Sequence, residues 1–97
     1  MVRREYPFEK AILLNAVYDV LERLDWPLVY ANSRAGVLRF AWGAGVGEME
    51  LTAILRDGAE VTRVEIGGAE QEISDILFDE ITSALYQDDR RERREAV

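Results

Sequence analysis

The stretch AWGAGVGEME, residues 41–50, places glycines at positions 43, 45 and 47, directly after an apolar run. Glycines in that position could cradle a phosphate. Such a loop needs a strand, then the glycines, then the first turn of a helix whose free N–H groups and dipole hold the anion. Here the spacing is G-x-G-x-G, and EMELTAIL follows with period-two alternation, so a strand and not a helix comes next. The Walker pattern also needs a G-K-[ST], yet Lys10, the one lysine, lies far away. The glycines therefore predict a pliable connection between two strands, a wide hairpin or a bulge, with the freedom to act as a flap.

Other chemistry is scarcer still. The chain has no cysteine and no histidine. The first absence excludes disulfides, thiol nucleophiles and cysteine metal sites; the second removes the commonest general base and metal ligand. Carboxylates are plentiful: Glu48 with Glu50, Asp75 with Asp79, Asp88 with Asp89. Asp75 and Asp79 are spaced i,i+4 and could hold a hard cation, but they belong to the polar face of a helix with no calcium-loop pattern around them. A catalytic acid pair needs burial, which Glu50 on the outer side of a strand lacks. The sequence predicts no catalytic residue, no cofactor and no metal, and so a protein that is not an enzyme.

Charge narrows the partners. The net charge is −7, and from Glu5 to Gln87 there are 15 acids against 6 bases. An acidic body repels nucleic-acid phosphates, so no nucleic-acid partner is expected. Arginines of the tail DDRRERREAV are offset by Asp88, Asp89, Glu92 and Glu95. No apolar run is long enough to span a bilayer, and the N-terminus lacks the apolar segment of a secretory signal. A cytoplasmic location is the expectation.

The elements follow from periodicity. Leu13, Leu14, Val17, Val20, Leu21 and Leu24 make one helical face, with Pro7 in the first turn and a stop near Asp25 ahead of Pro27. LVYAN and VLRFAW read as a hairpin closed at Gly36, with Ser33 facing Val37, Tyr30 facing Phe40 and Leu28 facing Trp42. Asp57-Gly58 between alternating runs gives a second hairpin that pairs Arg56 with Ala59, Ile54 with Val61 and Met49 with Ile66. Gly67-Gly68 ends that strand. A second helix follows, with Ile73, Ile76, Leu77, Ile81, Ala84 and Leu85 on its apolar face. The expected fold is an α+β two-layer sandwich of order α-β-β-β-β-α, an antiparallel four-stranded meander with both helices on one face. Residues 1–87 form the single domain, and 88–97 a charged tail, helical or disordered.

The rhythm of YPFEKAILLNAVYDVLERLDW, NSRAGVLRFAW and AILRDGAEVTRVEI resembles small bacterial helix–meander–helix domains of unknown function. The resemblance covers nearly the whole chain. It implies this same fold and carries no functional residues.

The sheet face turned away from the helices is the informative surface. In these registers it carries Val29, Ala31, Val37, Ala41, Ile54 and Val61, more aliphatic than a face left to water. The leading expectation is a non-enzymatic interaction or assembly module, a homodimer or a binder of a protein partner. Its contact is formed by Val29, Val37, Ile54 and Val61, with Arg39 and Arg63 pairing acids across the interface. An alternative is a small apolar-ligand binder, with Tyr30, Trp42 and Phe78 at the mouth of a crevice between helices and sheet. A weaker one is an acidic inhibitor or immunity-type protein docking a basic enzyme.

Overall fold

Val2 to Tyr6 alternates an apolar or long side chain (Val2, Arg4, Tyr6) with a charged one (Arg3, Glu5), and this short run is a strand, β1 (Val2–Tyr6). The computed structural model describes the backbone of residues 1–95 and the side chains of residues 1–86. The expected charged tail, 88–97, falls on side chains outside the described residues. After β1 come α1 (Lys10–Leu24), β2 (Leu28–Asn32), β3 (Val37–Trp42), β4 (Gly45–Arg56), β5 (Ala59–Gly67) and α2 (Gln71–Glu95). The fold is α+β, with one antiparallel sheet of five strands in the order β1-β5-β4-β3-β2. Four strands were expected. The fifth went unread because three of its five residues are charged, the usual guise of an edge strand.

β1 also moves the start of the first helix. Pro7 lies in the bend between strand and helix, Glu9 is the residue before the first turn, and the helix begins at Lys10. Its end falls where Pro27 required. Asp25 takes a left-handed conformation (φ 58°), and its N–H and that of Trp26 donate to Glu22 and Leu21 carbonyls.

The hairpin of β4 and β5 has the expected register throughout, from Arg56 opposite Ala59 to Met49 opposite Ile66. Asp57 and Gly58 both have positive φ, 52° and 79°, as a tight type I′ turn requires. The β2–β3 hairpin differs from expectation by one position. Asn32 faces Val37, Ala31 faces Leu38 and Tyr30 faces Arg39; a bulge at Val29 then returns Leu28 to a place opposite Phe40. The slip sends Tyr30 to the side away from the helices and Ala31 toward them, the reverse of the expected assignment. It arises at the turn. Asn32 accepts a bond from the Ala35 N–H through its side chain (3.1 Å) and from the Gly36 N–H through its carbonyl (2.8 Å), so four residues form the loop.

The glycine stretch is not a pliable loop. Trp42 pairs with Gly45, so β3 and β4 are joined by Gly43 and Ala44 alone, with Gly43 at φ 47°. Gly45 and Gly47 lie within β4, opposite Trp42 and Phe40. Each glycine makes room for the aromatic ring across from it.

The buried sheet residues share one face: Tyr6, Leu38, Phe40, Gly47, Met49, Leu51, Thr62, Val64 and Ile66. They form one core with Leu13, Val17, Val20 and Leu21 of α1 and Leu77, Phe78, Ile81 and Leu85 of α2, so both helices lie on that face. The buried face of α2 is rotated from the expected one: Phe78 and Ser74 are fully buried, whereas Ile76 is 38% exposed. Tyr6 and the Arg4 guanidinium, 4.9 Å from the Phe78 ring centre, are the neighbours that draw this face round. β1 thus packs directly against the second helix.

Candidate functional site: the uncovered sheet face

Among the described residues no helix covers the other side of the sheet. The registers place on it Arg3 and Glu5 of β1, Val61, Arg63 and Glu65 of β5, the even-numbered residues from Val46 to Arg56 of β4, Val37, Arg39 and Ala41 of β3, and Tyr30 and Asn32 of β2. Four arginines (3, 39, 56, 63) meet four glutamates (5, 48, 50, 65) there. The face is formally neutral on a chain of net charge −7.

Among the described residues these charges, Glu50 apart, are paired within the face. Arg56 donates to both oxygens of Glu5, at 2.8 and 2.7 Å, in the planar fork that guanidinium and carboxylate favour. Arg63 reaches the same carboxylate at 3.4 Å. The hydrogen bond from Arg56, with the charges of both arginines, holds the Glu5 carboxyl below its ordinary value, and the Glu5 carboxylate in turn raises Arg56. Arg3 pairs with Glu65 at 3.4 Å and Arg39 with Glu48 at 3.1 Å, and Arg39 also lies over the Tyr30 ring, 5.5 Å from its centre. Glu50 faces Glu65 as expected. Arg3 relieves that clash, and Glu50 makes none of the ion pairs found among the described residues.

The expected contact residues are therefore placed as follows. Ile54 and Val61 are a cross-strand pair and are half-buried. Val37 faces Glu50 and lies four residues along β4 from Ile54, roughly 13 Å at the rise of a strand. Thr52 and Arg63 come between. Val29 sits at the β2 bulge, 56% exposed, outside those rows. The aliphatics are thus scattered over a polar face: Ile54 with Val61, Val37 alone, and Ala41 with Val46. Arg39 and Arg63, expected to pair with acids across an interface, are taken up by Glu48 and Glu5 of their own chain. Sequence reasoning missed Arg3 and Glu5 as members of the site. The alternation in VRREY was the available signal.

The expected ligand crevice is not formed. Phe78 is fully buried in the core, Trp42 lies on the core side against Gly45, and Tyr30 is on the opposite face of the sheet. The three do not meet. Asp75 accepts a hydrogen bond from Gln71 (3.0 Å) and Asp79 lies 3.9 Å from Arg4. Among the described residues no group of three acidic side chains could hold a metal ion. No helix among them is long and apolar enough to cross a membrane.

No protein-family model matches this chain, and no characterised protein or solved structure does.

Proposed function

We propose that this chain is a non-enzymatic interaction module that self-associates through the uncovered face of its sheet. The observation that carries the reading is the neutrality of that face on an otherwise acidic chain. Two copies of a chain at −7 repel one another over most of their surface. Only where each presents balanced, internally paired charge does that repulsion vanish. Ile54 and Val61, half-buried beside the Arg56–Glu5–Arg63 cluster, provide an apolar centre ringed by satisfied polar groups, the anatomy of a modest protein interface.

The test is the mass in solution by light scattering. Ile54→Lys with Val61→Lys is expected to halve the mass of the unsubstituted chain, because each contact then buries four unpaired cations. An unsubstituted chain that runs at the 11.1 kDa of one copy at every concentration removes the reading. So does a mass that the lysine pair leaves unchanged.

A further inference from the structure

The two edges of the sheet are unlike. β1 is guarded by Arg3, Arg4 and Glu5, the charged dress that blocks strand-to-strand association. β2, LVYAN, carries no charge; all five of its residues are exposed, with Leu28, Val29 and Tyr30 at 39, 56 and 46%. Among the described residues no strand lies beside its outer edge. Alongside, between β2 and the end of α1, runs an open groove of about 410 Å³ walled by Tyr18, Leu21, Trp26 and Leu28. The β2 bulge turns Leu28 into that groove and Tyr30 onto the uncovered face.

We infer that the β2 edge is a second contact, occupied by β2 of another copy in antiparallel pairing. Charge selects the occupant and the direction. Among the described residues Glu22 and Asp25 are the only charged groups lining the groove; Arg23 points away, to Glu80 at 3.9 Å. At the other end of β2 the turn presents Arg34, whose carbonyl accepts from Lys10 Nζ (3.3 Å). Glu22, Asp25 and Arg34 make none of the ion pairs found among the described residues. Antiparallel pairing brings the Arg34 turn of each copy to the Glu22–Asp25 end of the other. Parallel pairing would set like against like.

A two-fold axis normal to the sheet relates such copies. Both helical layers then stay on one side, the two apolar grooves approach each other, and the two uncovered faces join into a single larger one. The edge contact goes beyond the face contact proposed above and is compatible with it. A five-residue strand buries little area, so this association is weak and concentration-dependent.

The experiment starts from the Ile54→Lys, Val61→Lys chain, in which the face contact is removed. That chain is expected to run as a dimer at high concentration. Adding Val29→Lys should weaken the dimer by roughly tenfold or more. Arg34→Glu should weaken it as well, and Glu22→Arg added to Arg34→Glu should restore it. Because the chain has no cysteine, Val29→Cys in the unsubstituted chain provides a single thiol that should cross-link copies on oxidation.

If the lysine pair alone yields a monomer at every concentration, the edge contact is wrong and the face contact stands. If the lysine pair changes nothing while Val29→Lys halves the mass, the face reading fails and the edge stands. A Val29→Cys chain that does not cross-link while its mass shows a dimer overturns the edge pairing. So does an unsubstituted monomer whose β2 amides become protected from exchange by a peptide of alternating valine and lysine; the occupant is then a foreign basic strand.

Discussion

The ring of Phe40 fills the space that a side chain at Gly47, directly across the β3–β4 ladder, would need. A Cβ on Gly47 would lie 2.5 Å from Cζ of Phe40 and 3.0 Å from its Cε1. Phe40 is itself held by Trp26, stacked at 6.3 Å and 12°, and is fully buried, so the ring has nowhere to retreat. Gly47→Ala is therefore expected to cost about 1–3 kcal/mol, the usual range for overpacking a core. Gly45→Ala, whose Cβ would sit 3.2 Å from the half-exposed Trp42, should cost less. Urea denaturation of the two variants checks the order, and equal losses would contradict it.

These glycines show where the sequence misleads. A glycine-rich run reads as loose chain, because glycine is the residue of turns. Only the partner strand reveals that Gly45 and Gly47 are small for the sake of the rings opposite. Asp57-Gly58 needed no partner: the turn geometry is local, and every pair of the β4–β5 ladder followed from it. The β2–β3 register failed for the converse reason. Asn32, whose side chain closes the turn, looks like an ordinary strand residue in LVYAN. β1 was hidden by Arg4, a long charged side chain at a position that meets Phe78. With β1 went two members of the site: Arg3 and Glu5 pair with Glu65, Arg56 and Arg63, and neither was expected on it. The aliphatic members Val37, Ile54 and Val61 were legible from alternation alone, whereas the separation of Val37 from the other two required the ladder.

Glu5 makes stability depend on pH. Its carboxyl is held below the ordinary value of 4.5 by the Arg56 hydrogen bond and by the charges of Arg56 and Arg63. A group with a lowered folded-state pKa binds its proton more readily in the unfolded chain. Its contribution is complete above 4.5 and is lost as pH falls through the depressed value. Glu5→Gln is expected to be less stable than the unsubstituted chain near neutral pH, with the gap closing as the solution is acidified below that range. The cluster is exposed and salt screens it, so the gap should also shrink at 1 M salt. Thermal melts at several pH values decide; a gap that is constant with pH excludes this ion cluster as its source.

Tyr6 joins the edge strand to the second helix. Its ring is buried, and its hydroxyl lies 3.0 Å from Oγ1 of Thr82 and donates to the Phe78 carbonyl at 3.4 Å. Tyr6→Phe keeps the ring and strands the Thr82 hydroxyl, at an expected cost of about 0.5–1.5 kcal/mol. Tyr6→Ala also opens a cavity beneath α2 and should cost about 3–5 kcal/mol, the range for removing a buried aromatic ring. If β1 were a mere appendage, removing residues 1–6 would leave the denaturation midpoint where it was. With Tyr6 in the core, the truncated chain is expected to unfold at markedly lower urea.

Ser74 runs against the general rule that buried polar groups find partners. It sits fully buried in the first turns of α2, its backbone N–H donates to the Glu70 carbonyl at 3.1 Å, and its Oγ has no hydrogen-bond partner among the described residues. An unsatisfied hydroxyl in an apolar setting costs about 1–3 kcal/mol on mutational scales. Alanine has nearly the same shape, higher helix propensity and no orphan oxygen. Ser74→Ala is therefore expected to raise stability by about 1 kcal/mol, and Ser74→Val to lose that gain by crowding the helix against the sheet. Chemical denaturation of both variants is the check. Destabilisation by Ser74→Ala would mean that the hydroxyl has a bound partner, and that the start of α2 is a polar site and not a packing contact.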